Sequence, residues 1–249
     1  TGRSCNKKSA GYTDWAYIDA ETAMPIVRSF RTATRTSNSL TLSWNKNSTT
    51  DGYIVEQYKG GKWTRIAKTS SASAVDITVK SLSAGTSYRF RIKVYKGSKS
   101  GNYVYLCADT LPTVVSGFKR SDRSSSTVTL SWNRNTSATG YVIQRYKNEK
   151  WTDVTVIRNK SVTSYKVSGL AASTTHKFRI CAYKTTDNTT SYSGYKNITA
   201  NTLPGNVSGF TCSGKTSNTI TLKWDKNTSA SGYIIEQYTN GKWVRLTKL

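Results

Sequence analysis

The chain carries three copies of one segment, and this limits what it can fold into. TLSWNKNSTTDGYIVEQYKGGKW (41–63) returns as TLSWNRNTSATGYVIQRYKNEKW (129–151) and again as TLKWDKNTSASGYIIEQYTNGKW (221–243). The shifts are 88 and 92 residues, and the two tryptophans of each copy lie 19 apart. A period near 90 is too long for a solenoid unit and suits a small self-contained domain. The three prolines, Pro25, Pro112 and Pro204, all stand at repeat boundaries. Proline fixes its own φ and restricts the residue before it, so these junctions read as short and semi-stiff.

Within the first repeat the apolar residues alternate. Leu40, Leu42 and Trp44 alternate with Ser39, Thr41 and Ser43. Tyr53 to Tyr58, Trp63 to Ala67 and Val75 to Val79 read as further strands, and Tyr88, Phe90, Ile92 and Val94 alternate with Arg89, Arg91 and Lys93. Tyr103 to Cys107 closes the unit. Such period-two alternation marks half-buried strands. KGGK, KNEK and TNGK between the second and third strands are hairpin signals. No stretch combines a helical period with caps. The expectation is an all-β fold of tandem seven-stranded antiparallel sandwiches.

These residues resemble a fibronectin type III domain. The resemblance rests on the tryptophans Trp44, Trp132 and Trp224, the GY-hydrophobic strand after each, and the leucine six residues before an aromatic, Leu82 to Tyr88. It implies complete immunoglobulin-like domains at 26–112 and 113–204. It implies strands A to C′ of a third at 205–249 and the closing G strand of a preceding one in 1–25. The repeat is then expected to continue past both ends. The similarity of SWNRNTSATGY to KWDKNTSASGY resembles the tandem arrays of secreted and surface proteins of Gram-positive bacteria. In the family the aromatic after the leucine is a tyrosine whose hydroxyl caps a turn, and Tyr88 fits that role. His176, the one histidine of the chain, stands at the equivalent place in the second repeat and is read as its structural substitute.

Composition bears on partners. Lys and Arg number 37 against 13 acidic residues, a formal net charge of +24. This favours anionic partners: an anionic polysaccharide, a cell-wall polymer or a host glycoprotein, with nucleic acid held only non-specifically. The four cysteines, Cys5, Cys107, Cys181 and Cys212, fall in different repeats. They form no framework or zinc spacing and are read as free thiols, with an interdomain bridge as the alternative. No membrane-spanning run appears, and membrane insertion is not expected. Seven N-x-S/T sequons, at Asn47, Asn135, Asn159, Asn188, Asn197, Asn206 and Asn227, are read as chance products of Ser/Thr/Asn-rich loops.

No GxSxG, HExxH, CxxC or glycine-rich phosphate loop occurs. The chain is therefore read as non-enzymatic, without cofactor or metal. Two binding candidates remain. Arg89, Arg91 and Lys93, with Lys177 and Arg179 in the second repeat, project to the solvent side of one strand and could meet spaced anions; pairing with Glu56 on a neighbouring strand is the structural alternative. Tyr58 and Trp63, Tyr146 and Trp151, and Tyr238 and Trp243 sit at hairpin tips beside lysines and could stack on glycans; cross-pairing to hold the hairpin is the alternative. The functional expectation is an extracellular, secreted or surface-attached array. It would act as a spacer, stalk or adhesion scaffold joined to other domains of a longer chain. The alternatives are a basic binding module for an anionic polymer or host glycoprotein, and accessory domains of a secreted carbohydrate-active hydrolase.

Overall fold

A computed structural model describes residues 24–249, apart from 187 and 188. The closing strand expected in 1–25 lies, but for Met24 and Pro25, outside the described residues. The first repeat forms eight strands: β1 (Arg31–Arg35), β2 (Leu40–Ser43), β3 (Gly52–Lys59), β4 (Lys62–Lys68), β5 (Asp76–Val79), β6 (Ser87–Lys96), β7 (Lys99–Ser100) and β8 (Val104–Asp109). All pairings are antiparallel. One sheet runs β1-β2-β5; the other runs β4-β3-β6, with β7 and β8 both paired to β6. Alternation had marked every strand of the sandwich except β1 and the short β7. β1 reads RTATR and is largely exposed, so it gives no apolar signal and is found only through its pairing with β2.

The second repeat copies this plan: β9 (Lys119–Arg123), β10 (Val128–Ser131), β11 (Gly140–Lys147), β12 (Lys150–Ile157), β13 (Ser164–Val167), β14 (Thr175–Thr186), β15 (Thr189–Tyr192) and β16 (Lys196–Asn201). The sheets are β9-β10-β13 and β12-β11-β14, with β15 and β16 on β14. β14 and β15 are longer than β6 and β7 because four more residues separate Tyr183 from Tyr195 than separate Tyr95 from Tyr103. Residues 205–249 add β17 (Thr211–Lys215), β18 (Ile220–Lys223), β19 (Ile234–Thr239) and β20 (Lys242–Lys248), paired as β17-β18 and β19-β20. Among the described residues no further strands cover them, so Phe210, Ile220 and Leu246 are 58%, 70% and 57% exposed.

Parity decides which residues enter the core. Leu40 and Leu42 from one sheet meet Val55, Phe90, Ile92 and Val94 from the other, all fully buried. Trp44 lies at the centre, 5.2 Å from the Tyr53 ring and 6.4 Å from Phe30. Trp132, Tyr141 and Phe118 repeat that cluster in the second domain, and Trp224, Tyr233 and Phe210 repeat it in the third unit. The expected hairpins form, with positive φ at Gly60 and Gly61, Asn148 and Glu149, and Asn240 and Gly241. Both central residues of a type I′ turn need this conformation.

The cysteines depart from the free-thiol expectation at one position. Cys107 is disulfide-bonded; Cys181, buried, and Cys212, exposed, are free thiols, and Cys5 lies outside the described residues. The assignment of one cysteine per repeat excluded bridges within a domain and left a bridge between domains as the alternative.

Tyr88 caps the turn before β6: its hydroxyl accepts the Ser83 N–H at 2.7 Å. Ala171 is the counterpart of Ser83, and its carbonyl takes the Thr202 hydroxyl at 2.6 Å, as Ser83 takes Thr110. His176 occupies the tyrosine's place, but its buried Nε2 has no hydrogen-bond partner. Burial, and then the nearby Arg145 charge, lowers the His176 pKa, with the Ala171 backbone opposing. A lowered folded-state value means that the fold prefers neutral imidazole. The full contribution is present above the unfolded value of about 6.5 and is lost as pH falls through the folded value. His176→Tyr is expected to restore the hydroxyl bond to Ala171, raise second-domain stability by about 1 kcal/mol, and flatten the loss of stability below about pH 6.5. Denaturant unfolding at pH 5 and pH 8 checks both effects.

Candidate functional site

The two candidate sets lie on one surface, the outer face of the β4-β3-β6-β8 sheet. Tyr58 stands opposite Trp63 in the β3–β4 register, and their rings meet edge to face at 5.3 Å. The cations of β6 lie over these rings and over Tyr103. The Arg89 guanidinium is 3.9 Å from the Tyr58 centroid. Arg91 is 4.6 Å from Trp63 and 3.8 Å from Tyr103, and Lys93 is 4.7 Å from Tyr103. Guanidinium groups stack on aromatic faces because the ring quadrupole is negative there.

Arg91 is the centre of this ladder. It is ion-paired to Glu56 at 2.5 Å, with its Nε donating to the same carboxylate oxygen at 2.6 Å. Burial works against the Arg91 charge, but hydrogen bonding with Glu56 and Tyr105 and the nearby Tyr103 and Glu56 hold its pKa above the ordinary value. Strand register explains the grouping: Glu56 pairs with Arg91 and Arg91 with Tyr105, so the three form one row across the sheet.

The second domain keeps the ladder and changes its chemistry. Tyr146 and Trp151 meet at 5.3 Å. Arg179 stacks between Trp151 at 4.4 Å and Tyr195 at 3.8 Å, and Lys177 lies 5.8 Å from Tyr146. Gln144 replaces Glu56, accepting from Arg179 Nε at 2.6 Å and donating to Asp153 at 2.7 Å. In the third unit Tyr238 and Trp243 hold the same 5.3 Å pair, but among the described residues no cation-bearing strand covers them and they are 60% and 67% exposed. Five of the candidate cations and four of the six candidate aromatics thus form two interleaved ladders. Cations and rings read as separate sets in the sequence because cross-strand register is not displayed there.

A second feature went unread in the sequence. Asn135, whose side chain is buried, donates from Nδ2 to the Thr113 carbonyl at 2.7 Å, while its Oδ1 accepts the Ser137 N–H and hydroxyl. Ser137 Oγ in turn accepts the Thr113 N–H at 3.0 Å. Thr113 follows Pro112, so this N-x-S turn clasps the linker. Asn227 and Ser229 clasp Gly205 after Pro204 in the same way, at 2.6 and 2.9 Å. These sequons are structural turns, and their recurrence at Asn47, Asn135 and Asn227 is not chance. It could have been noticed as recurrence at one repeat position.

The model for the fibronectin type III domain matches residues 25–104 and 113–194. The chain belongs to this family. The type III chain is similar to Chitinase A1 of Niallia circulans, at 28% identity over 232 residues, 89% of this chain and 30% of that protein. It is similar to Exoglucanase B of Cellulomonas fimi at 28% identity over 131 residues, 49% of this chain and 11% of that protein. The chain therefore spans less than a third of the length of either relative. Among solved structures it is similar to a two-domain type III segment of chicken tenascin, at 18% identity and a TM-score of 0.49, covering 72% of this chain and all of that one. Among the described residues no group of His, Cys, Asp and Glu could hold a metal ion, and no helix is long and apolar enough to cross a membrane.

If the ladder holds the hairpin, its members are coupled. A double-mutant cycle of Trp63→Ala and Arg91→Ala, followed by denaturant unfolding, is expected to give a coupling of about 0.5–1 kcal/mol, and Arg91→Lys is expected to keep less than half of it. Additive single-mutant effects would show that the stacking contributes nothing.

Proposed function

We propose that this type III array is a non-enzymatic spacer in a secreted or surface-attached bacterial protein, holding the modules on either side at a set separation and orientation. The observation that carries this reading is the joint at Pro112. On one side the linker is clasped by Asn135 and Ser137. On the other, the lengthened β14–β15 hairpin reaches back to the first domain: Thr186 donates to Asp109 at 2.8 Å and Arg35 to Ser191 at 3.2 Å. Gly85 packs so closely on the Ser137 carbonyl that a Cβ there would lie 2.2 Å from it. Domains joined only by a flexible linker move freely; these carry hydrogen bonds at three points around the junction.

The domains are read as 26–112 and 113–204, with 205–249 as the first strands of a third. A second reading makes the array the accessory part of a secreted polysaccharide-degrading enzyme, and the names of both relatives support it. Adhesion to an anionic polymer through the basic face is a weaker reading, since Arg91 already carries Glu56 and two rings.

Residual dipolar couplings measured across residues 26–204 test the spacer. The two domains are expected to share one alignment tensor, and Asn135→Ala combined with Asp109→Ala is expected to separate the tensors while costing about 1–2 kcal/mol of second-domain stability. Two independent tensors in the unaltered protein would overturn the reading.

A further inference from the structure

The outer sheet face of the second domain differs from that of the first in a way the spacer role does not use. In the first domain Lys68 lies over the Tyr95 ring at 4.4 Å and Tyr95 donates to the Thr69 carbonyl, so the face is closed and cationic. The register places Lys68 beside Ile54 and Ile54 beside Lys93. The second domain has Val156, Val142 and Cys181 in those three positions. Two lysines are gone and the row is apolar. The four-residue lengthening of the β14–β15 hairpin then adds a wall, carrying Thr190 and Tyr192.

Together these changes open a cleft of about 650 Å³, within the range of small-ligand sites. Its floor is Val142 and Tyr183. Tyr192 and Tyr195, 52% and 41% exposed, stand along it. Tyr195 is held in place from one side, where Arg179 stacks on its ring. The hydrogen-bonding pair Gln144 and Asp153 lies at one side, with Arg158 and the threonine hydroxyls of 185 and 190 also lining the cleft.

We propose that this cleft binds a neutral polysaccharide strand. The charges lining it, Asp153 and Arg158, cancel, so it selects against the polyanions that the rest of the chain attracts. Exposed tyrosine rings offer flat apolar surface to the C–H faces of pyranose rings, and each keeps a hydroxyl at its edge. Gln, Thr and Tyr side chains both donate and accept, as sugar hydroxyls do. The cleft lies on the face of the sheet and not along an edge, so it does not suit a peptide that binds by strand addition. The proposal can fail apart from the spacer reading: a rigid joint with an unoccupied cleft would overturn it and leave the spacer intact.

The test uses the 249-residue chain, its ¹⁵N spectrum, and cellohexaose, chitohexaose and xylohexaose as probes, with affinity electrophoresis in the matching soluble polymers. At least one probe is expected to shift the resonances of Val142, Gln144, Thr190 and Tyr192 and leave Ile54 and Lys93 of the first domain unmoved. Binding is expected to be insensitive to salt. Tyr192→Ala, in an exposed position, is expected to weaken it about tenfold without changing the unfolding midpoint; Tyr195→Ala is expected to weaken it as much while lowering the midpoint, because the Arg179 stack is lost; Tyr192→Phe is expected to keep most of it. Absence of shifts with all three probes overturns the proposal. So do shifts confined to the first domain, steep salt dependence, or full binding by both alanine variants. Shifts in the cleft with a proline-rich peptide and none with the sugars would reassign it to peptide recognition and equally overturn the proposal.

Discussion

The buried tyrosine next to each core tryptophan is the contact on which the remaining structure depends. Tyr141 is fully buried, with its ring 5.3 Å from Trp132. Its hydroxyl accepts the Asn135 N–H and donates to the Lys160 carbonyl, both at 2.9 Å. Burying a phenol hydroxyl without partners would cancel much of what its ring contributes, so these bonds favour the packing. They also fix the backbone at Asn135, whose side chain grips Thr113. Core, loop and interdomain joint are therefore linked through one side chain. Tyr53 with Asn47 and Tyr233 with Asn227 repeat the link at 2.8 and 2.7 Å.

The same strands have a second face, and the period of two lets it vary without disturbing the first. Val55, Phe90 and Ile92 cannot change much, because they fill a closed core. Glu56, Lys68 and Lys93 have become Gln144, Val156 and Cys181 with the fold unchanged. The result, on two copies of one scaffold, is a face cationic along its length and a face whose ladder stays cationic while its cleft-bearing end is apolar. Burial raises the pKa of Cys181, with the Tyr195 hydrogen bond opposing, so the thiol fills its place as a small, uncharged, apolar group.

This separation explains what could be read from the chain. Alternation at Leu40–Trp44 and Tyr88–Val94 revealed the strands because one side of each is core. β1 was invisible because RTATR has no buried side to report. The cations of β6 and the rings of β3 and β4 were each visible as sets, but their stacking depends on cross-strand register, which alternation within a strand does not contain. The disulfide at Cys107 was not legible because cysteine spacing of one per repeat does not say which thiols are oxidised. The clasp at Asn135 was hidden differently: its residues were noticed, but as loop composition, and only the Thr113 contacts show that the same turn holds the joint.

The four extra residues of the β14–β15 hairpin serve two ends at once, and this bears on how such an array acquires function. The tip of the hairpin reaches Asp109 and braces the preceding domain. Its base carries Tyr192 to the edge of the cleft. A longer hairpin without the brace would be an exposed ribbon, and two-stranded ribbons are marginal alone. Anchoring its far end to the first domain is what allows Tyr192 to stand at a fixed place beside Tyr183, 6.2 Å away. Loosening the joint should then weaken the cleft as well, whereas emptying the cleft should leave the joint intact. That asymmetry follows from the order of attachment along the hairpin, with the joint at its tip and the cleft at its base.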